Sequence, residues 1–305
     1  MTDVVDVFVV GAGMAGLAAA EEAAKRGLSV AIAEEMMFGG LVVNVNHLSP
    51  PIEGLSAAGS DLAADAMTRV SDLGATTLFE AVTGCEAGPD GSLQVSTAAG
   101  AHAARTVIIA TGAKLRSLGV PGEQEFEGRG VSHCADCDAP MFRDETVLVV
   151  GGGDSALQES LVLAEFCPTV HLVHRGEAFA ARSDFVEAVR KDPRIKVHLR
   201  TVVEALEGGK ALEAAKLRDT TTGTHQRLAC KGFFAYVGLE PNLAAIPASI
   251  ELQDGAVRVD EALESSTKNV FAIGAVRNGY GGQIADTMAD ASRAIDAICK
   301  RLGRP

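Results

Sequence analysis

Short apolar runs alternate along the chain with alanine-rich, helix-forming stretches, and glycines mark the junctions. The first run, Val4–Val10, ends in Gly11-Ala12-Gly13-Met14-Ala15-Gly16 and leads into a helix that should extend to about Arg26. Gly27 stands where a helix C-cap belongs, and Ser29–Ala33 reads as the next strand. The same order returns near the middle. Thr146–Val150 precedes Gly151-Gly152-Gly153-Asp154-Ser155-Ala156, then a helix to about Phe166 and a strand over Thr169–Val173. Two such strand–turn–helix–strand starts predict an α/β chain with parallel sheets and a duplicated architecture. Between them Thr76–Ala110 is β-rich, with a hairpin signal at Pro89-Asp90-Gly91. Near the end a strand at Val270–Ile273 precedes a helix from about Gln283 to Arg301. No low-complexity linker interrupts the pattern, so domain boundaries belong in short connections near Leu115–Pro121 and Glu240–Asn242.

Composition narrows the class. With 305 residues, 47% apolar and 22% charged, the chain is long enough for two globular domains. Aromatics are scarce at 4% and Trp is absent, so the core must rest on Ala, Val, Leu and Ile. A net charge of −13 speaks against a nucleic-acid surface or an anionic membrane. The longest apolar runs are strand-length, too short to span a bilayer. Acidic residues and no basic ones precede the first apolar run, which is not a secretory signal; cytoplasmic residence is expected. Cys85, Cys167, Cys230 and Cys299 are scattered and expected to be reduced.

Candidate chemistry sits at the junctions. Gly11-x-Gly13-x-x-Gly16 lies between strand and helix, where a dinucleotide fingerprint belongs. Its glycines allow a tight turn, close approach of a pyrophosphate and close helix–strand packing, and the helix N-terminus faces the phosphates. An acid ending the second strand should bind an adenosine ribose; Glu34 is the first candidate and Glu35 the alternative. Gly151-x-Gly153-x-x-Ala156 has the same setting and should hold a second dinucleotide. Its second strand ends in His174-Arg175 rather than a carboxylate, which tolerates a 2′-phosphate, although Arg175 reads equally well as a solvated charge. Cys134-Ala135-Asp136-Cys137 suits a reversible disulfide near a helix start. A zinc site would need a second pair, and the other cysteines lack that spacing. Asp138 can shuttle a proton to the leaving thiolate or simply cap a helix. His133 can tune the pair or merely fill space.

VSHCADCDAP, VVGGGDSALQES and GFFAYVGLEPN, following GAGMAG in this order, resemble the low-molecular-weight thioredoxin reductases over essentially the whole chain. The resemblance implies two Rossmann-like dinucleotide-binding domains, the second inserted into the first. FAD would bind residues 1–114 and 241–305, and NADPH or NADH residues 115–240, which carry the cysteines. It also implies that Ala110-Thr111-Gly112 leaves the FAD domain, that Cys137 faces the flavin, that Cys134 attacks the partner disulfide with Asp138 as acid and base, and that the protein is a homodimer. Among the expected cofactor contacts are Gly40, Thr111, Gly112, Asp154, Ser155, Gly274 and Gln283.

Departures from the family pattern are specific. The nucleotide loop, usually HRRxxFRA, reads His174-Arg175-Gly176-Glu177-Ala178-Phe179-Ala180-Ala181, with Arg182 as a possible substitute. A Gly-Asp near the C-terminus is Gly274-Ala275, an Arg-Gln is Gly282-Gln283, a Thr is Asp286, and the Gly-Gly-Gln loop is Gly39-Gly40-Leu41. The leading expectation is an NAD(P)H-dependent reductase of thioredoxin or a related disulfide. The alternatives are a flavin-dependent dithiol oxidase using oxygen and a reductase for another redox partner.

Overall fold

The structure, a computed structural model, describes residues 4–45, 48, 54–88 and 91–304. In chain order it runs β1 (Val5–Val10), α1 (Met14–Lys25), β2 (Val30–Ala33), α2 (Gly59–Asp72), β3 (Thr76–Leu78), β4 (Val82–Ala87), β5 (Leu93–Thr97), β6 (Gly100–Ile109) and β7 (Ala113–Leu115). Then come β8 (Val131–Ser132), α3 (Ala135–Asp138), β9 (Thr146–Gly151), α4 (Asp154–Phe166), β10 (Thr169–Val173), α5 (Ser183–Lys191), β11 (Ile195–His198), β12 (Thr201–Gly208), β13 (Leu212–Asp219), β14 (His225–Ala229) and β15 (Gly232–Tyr236). The chain ends with β16 (Leu239–Pro241), β17 (Leu252–Gln253), β18 (Ala256–Val257), β19 (Val270–Ala272) and α6 (Ile284–Leu302). It divides into two compact units: residues 1–114 with 240–305, and residues 115–239. The fold is thus two Rossmann-like domains, one inserted into the other.

Unit 1 is built on a seven-stranded sheet, β3-β2-β1-β6-β5-β4, with β19 also paired to β6. The long β6 is shared along one edge: Gly100–Ala104 pairs antiparallel with β5, and Val107–Ile109 pairs parallel with β19. The period of two along β1 explains why its residues are almost all apolar. Val7 and Val9 face the layer of α1 and α6, where Leu17, Ile295 and Ile298 lie, while Phe8 and Val10 face Val95, Val107 and Val270. Ser29 sits just outside β2. Its N–H and hydroxyl both donate to the buried Asp6 carboxylate at 3.0 Å, which delays the strand to Val30. β4 and β5 pair antiparallel around the hairpin signal, of which Pro89 and Asp90 lie outside the described residues.

Unit 2 repeats the plan with a parallel sheet, β11-β10-β9-β15-β8. Val147 and Val149 of β9 face α4 and α5, and Leu148 and Val150 face a separate antiparallel sheet, β12-β13-β14. Full burial of each such side chain contributes roughly 1.5–3 kcal/mol. No helix among the described residues is long and apolar enough to cross a membrane.

Candidate active site

In unit 1 the glycine turn joins β1 to α1. At Gly16 a Cβ would lie 1.9 Å from the Gly11 carbonyl oxygen, so only glycine lets the helix pack this tightly on the turn. At Gly13, by contrast, the nearest atom to a Cβ is the Gly39 carbonyl oxygen at 3.9 Å, which leaves the approach to the turn open. Gly13 is the N-cap of α1 and brings no capping side chain, so the first N–H groups of the helix are left for an anion. Glu34, just past β2, accepts the Ala12 N–H at 2.9 Å and the Met36 N–H at 3.1 Å. The adjacent Glu35 is exposed.

Gly40, Thr111 and Gly274 lie beside the same turn. Gly39 N–H donates to the Ala12 carbonyl at 2.7 Å, and Gly40 follows it beside Gly13. Thr111 Oγ1 donates to the Asn242 carbonyl at 2.7 Å, and the Gly112 carbonyl accepts the Asn242 N–H at 2.9 Å. Gly274 lies against Ala15 of α1, and its N–H donates to Asp290 Oδ2 at 2.9 Å. Asp290 is only 2% exposed, and both its oxygens accept from Arg277, each at 2.7 Å. Sequence alone did not single out this buried pair; its cue was an acid on the face of α6 that also carries Ala291, Ala294, Ile295 and Ile298. Gln283 caps α6 in a reciprocal box with Asp286, whose carboxylate accepts the Gln283 N–H at 3.0 Å. Asp286 thus has a local structural partner where the family pattern has Thr.

In unit 2 a cleft of about 610 Å³ opens over the second turn, lined by Gly151–Ala156, His174, Arg175, Ala180, Thr201 and Tyr236 among others. Ala156 is fully buried, whereas Gly153, Asp154 and Ser155 are exposed at the start of α4. The His174 ring covers Gly152, and its Nε2 is 3.1 Å from the Ala178 carbonyl. Three guanidinium groups differ in how they are engaged. Arg182 pairs with Asp184 at 3.1 Å and Asp154 at 3.7 Å and lies over the Phe185 ring. Arg200 pairs with Glu177 at 3.1 Å. Arg175 is exposed on the cleft and makes no ion pair among the described residues.

Cys134 and Cys137 form a disulfide, with Cα atoms 5.3 Å apart. Cys134 is the N-cap of α3 and half-buried, and its Sγ accepts the Cys137 N–H at 3.1 Å; Cys137 is exposed. Asp138 forms no helix-capping hydrogen bond. Its Oδ2 instead accepts from Ser132 Oγ at 2.6 Å, and Ser132 Oγ in turn accepts the Cys134 N–H at 3.2 Å. His133 lies beside the pair and faces Glu127 at 3.0 Å. The remaining cysteines are buried and free. Among the described residues no three His, Cys, Asp or Glu side chains group as a metal site.

Two glycine turns at strand–helix junctions and a disulfide at a helix start fit a flavin- and pyridine-nucleotide-dependent disulfide oxidoreductase. Residues 5–297 match the pyridine nucleotide-disulphide oxidoreductase family, and the chain belongs to it. It is 35% identical to a thioredoxin reductase of Treponema pallidum over 97% of both chains. Among solved structures it is similar to Lactococcus lactis thioredoxin reductase, with a TM-score of 0.93, 30% identity, and 97% and 98% of the two chains covered. Against T. acidophilum thioredoxin reductase the TM-score is 0.92, with 29% identity over 98% of each chain. The protein is a thioredoxin reductase-like enzyme that uses a flavin and a pyridine nucleotide.

Proposed function

We propose that the enzyme passes electrons from NADPH or NADH through FAD to the Cys134–Cys137 disulfide and on to thioredoxin or a related disulfide. The observation that carries this reading is a formed disulfide at the start of α3, in the same unit as a dinucleotide cleft. FAD is assigned to unit 1. Gly11, Gly13, Gly16 and the uncapped start of α1 would take the pyrophosphate, and Glu34 the ribose, with Glu35 as the more exposed alternative. Gly40, Thr111, Gly112, Gly274 and Gln283 would line the remainder. The nicotinamide nucleotide is assigned to Gly151, Gly153, Asp154, Ser155 and Ala156, with His174 and Arg175 at its ribose. When bound, the two cofactors supply hydride and two-electron transfer.

The protein's own groups would do the rest. The Cys137 N–H, 3.1 Å from Cys134 Sγ, favours a thiolate at Cys134, which supports Cys134 as the residue that attacks the partner disulfide. By the family likeness Cys137 is the flavin-side sulphur. Asp138, linked through Ser132 to the Cys134 amide, is placed to move the proton of the exchange. A homodimer in the cytoplasm completes the proposal; four buried free thiols suit a reducing compartment.

Rapid mixing under argon tests the direction of flow. NADPH or NADH should bleach the flavin, and Cys134→Ser and Cys137→Ser should each abolish reduction of thioredoxin while bleaching persists. Bleaching by dithiols alone would replace this reading with the oxidase.

A further inference from the structure

The cleft of unit 2 carries a charge that its glycine turn does not account for. In the sheet order β11-β10-β9-β15-β8 the Gly151–Ala156 turn leaves the end of β9, with β10 on one side and β15 on the other. A strand–turn–helix–strand unit takes the adenosine half of a dinucleotide at the end of its second strand and the pyrophosphate at the helix start. Here the second strand is β10, which ends beside His174 and Arg175. The nicotinamide half then extends the other way, over the end of β15, where Tyr236 pairs with Gly151. Arg116 lies just past that end. Its backbone N–H donates to the Gly238 carbonyl at 2.9 Å, and its Nη2 donates to the Leu239 carbonyl at 3.3 Å. Its side chain is exposed on the cleft and makes no ion pair among the described residues. Ser117, Tyr236, Val237 and Gly238 line the cleft beside it and bring no carboxylate. The one carboxylate in the lining, Asp154, is at the start of α4 and pairs with Arg182.

We propose that Arg116 is a specificity residue for the redox state of the nucleotide: its charge at the β15 end of the cleft favours the reduced form over the oxidised one. The inference rests on the nucleotide assignment made above. Loss of a hydride turns the neutral dihydronicotinamide ring into a pyridinium cation, so the two forms differ by one positive charge on that ring. A guanidinium stays protonated at any working pH, and like charges in a cleft with low-dielectric walls repel. With no carboxylate beside Arg116 to neutralise it, the repulsion falls on the pyridinium form alone. Phosphates, riboses and adenine are common to both forms. Any contact of Arg116 with a phosphate therefore adds equally to both affinities and cancels in their ratio. Arg175, at the adenosine end, sees the same groups in both forms and does not discriminate. The consequence for turnover is direct: giving up the hydride weakens the nucleotide's hold on the cleft and clears it for the next reduced molecule.

Titration calorimetry of the oxidised holoprotein tests this with NADP+ and its 1,4,5,6-tetrahydro form, and with the same pair made from NAD+. The tetrahydro ring is neutral and has no hydride to give, so the flavin stays oxidised and binding alone is read. Arg116→Gln keeps a donor for the Leu239 carbonyl and removes the charge. It should tighten the oxidised nucleotide relative to the tetrahydro form by about tenfold, or about 1.4 kcal/mol. Arg116→Lys, which keeps the charge, should hold the ratio near that of the wild type. Arg175→Gln should change both affinities together and leave the ratio where it was. An unchanged ratio in Arg116→Gln, or an equal change of ratio in Arg175→Gln, overturns the proposal and leaves the nucleotide assignment standing. Failure of all four nucleotides to bind the wild-type protein overturns that assignment, and the inference with it.

Discussion

The cysteines show how far a residue's chemistry depends on its surroundings. Burial pushes the thiols of Cys85 and Cys167 up to about 11, and that of Cys230 up to about 12. Cys299 is only 3% exposed. Because the thiolate is the reactive form, these side chains should behave as small apolar residues near neutral pH. The oxidised native protein should therefore give no fast reaction with an aromatic disulfide reagent at about pH 8, and the reduced protein should give two fast thiols. A third fast thiol would mean that one of the buried cysteines is accessible. The spacing of Cys134 and Cys137 made the pair legible from sequence, since two thiols three positions apart meet at a helix start whatever the tertiary fold. Ser132, Glu159 and Tyr236 were not legible as its neighbours. Tyr236 reaches the turn from β15, whose register against β8 and β9 brings it there, and Glu159 lies on α4.

At the scale of elements, on the proposed assignment the loop after β10 would decide which nucleotide the cleft prefers. A 2′-phosphate is held by guanidinium groups free to form paired hydrogen bonds, each contributing roughly 1.5–3 kcal/mol. Arg182 is engaged by Asp154 and Asp184, and Arg200 by Glu177, so of these three only Arg175 makes no ion pair among the described residues. Discrimination between NADPH and NADH should accordingly be weak, with a ratio of kcat/KM below about a hundredfold, or about 2.7 kcal/mol. Gly176→Arg is a poor way to restore selectivity, because a Cβ there would lie 2.6 Å from His174 Nε2. Ala180→Arg, exposed on the cleft wall, should raise kcat/KM for NADPH selectively. An equal change for both nucleotides would move the 2′-phosphate site elsewhere. From sequence, Arg182 looked available to replace the missing arginines; Asp184 stands two residues on, but Asp154 comes beside it only through the fold. The glycine turns were legible because strand, turn and helix are consecutive in the chain. The sheet β12-β13-β14 was not. Its outer face carries cross-strand pairs such as Arg218–Glu204 and Lys216–Glu207, and these charges mask the alternation of Val203, Leu206 and Leu217 beneath.

For the molecule as a whole, the division into two units makes the cofactors separable. Every residue assigned to FAD falls in residues 1–114 or 240–305, and every residue assigned to the nicotinamide nucleotide falls in 115–239. A ligand that binds only the folded state stabilises it by about 2.7 kcal/mol at a hundred times its dissociation constant. For domains of this size that corresponds to about 5–10 °C in Tm. Removing the flavin should therefore lower the melting transition by at least that amount wherever free flavin exceeds its dissociation constant a hundredfold. Adding NADH or NADPH to the flavin-free protein should still raise the melting of a nucleotide-stabilised part, since the Gly151–Ala156 turn and its cleft are built from unit 2 alone. Gly153→Glu, placed where the pyrophosphate would approach, should cancel the nucleotide's effect and leave that of FAD. Differential scanning calorimetry of the holoprotein, the flavin-free protein and the variant, each with and without nucleotide, makes the comparison. If nucleotide protects only when flavin is bound, the two sites are not independent, and the assignment of one cofactor to each unit fails.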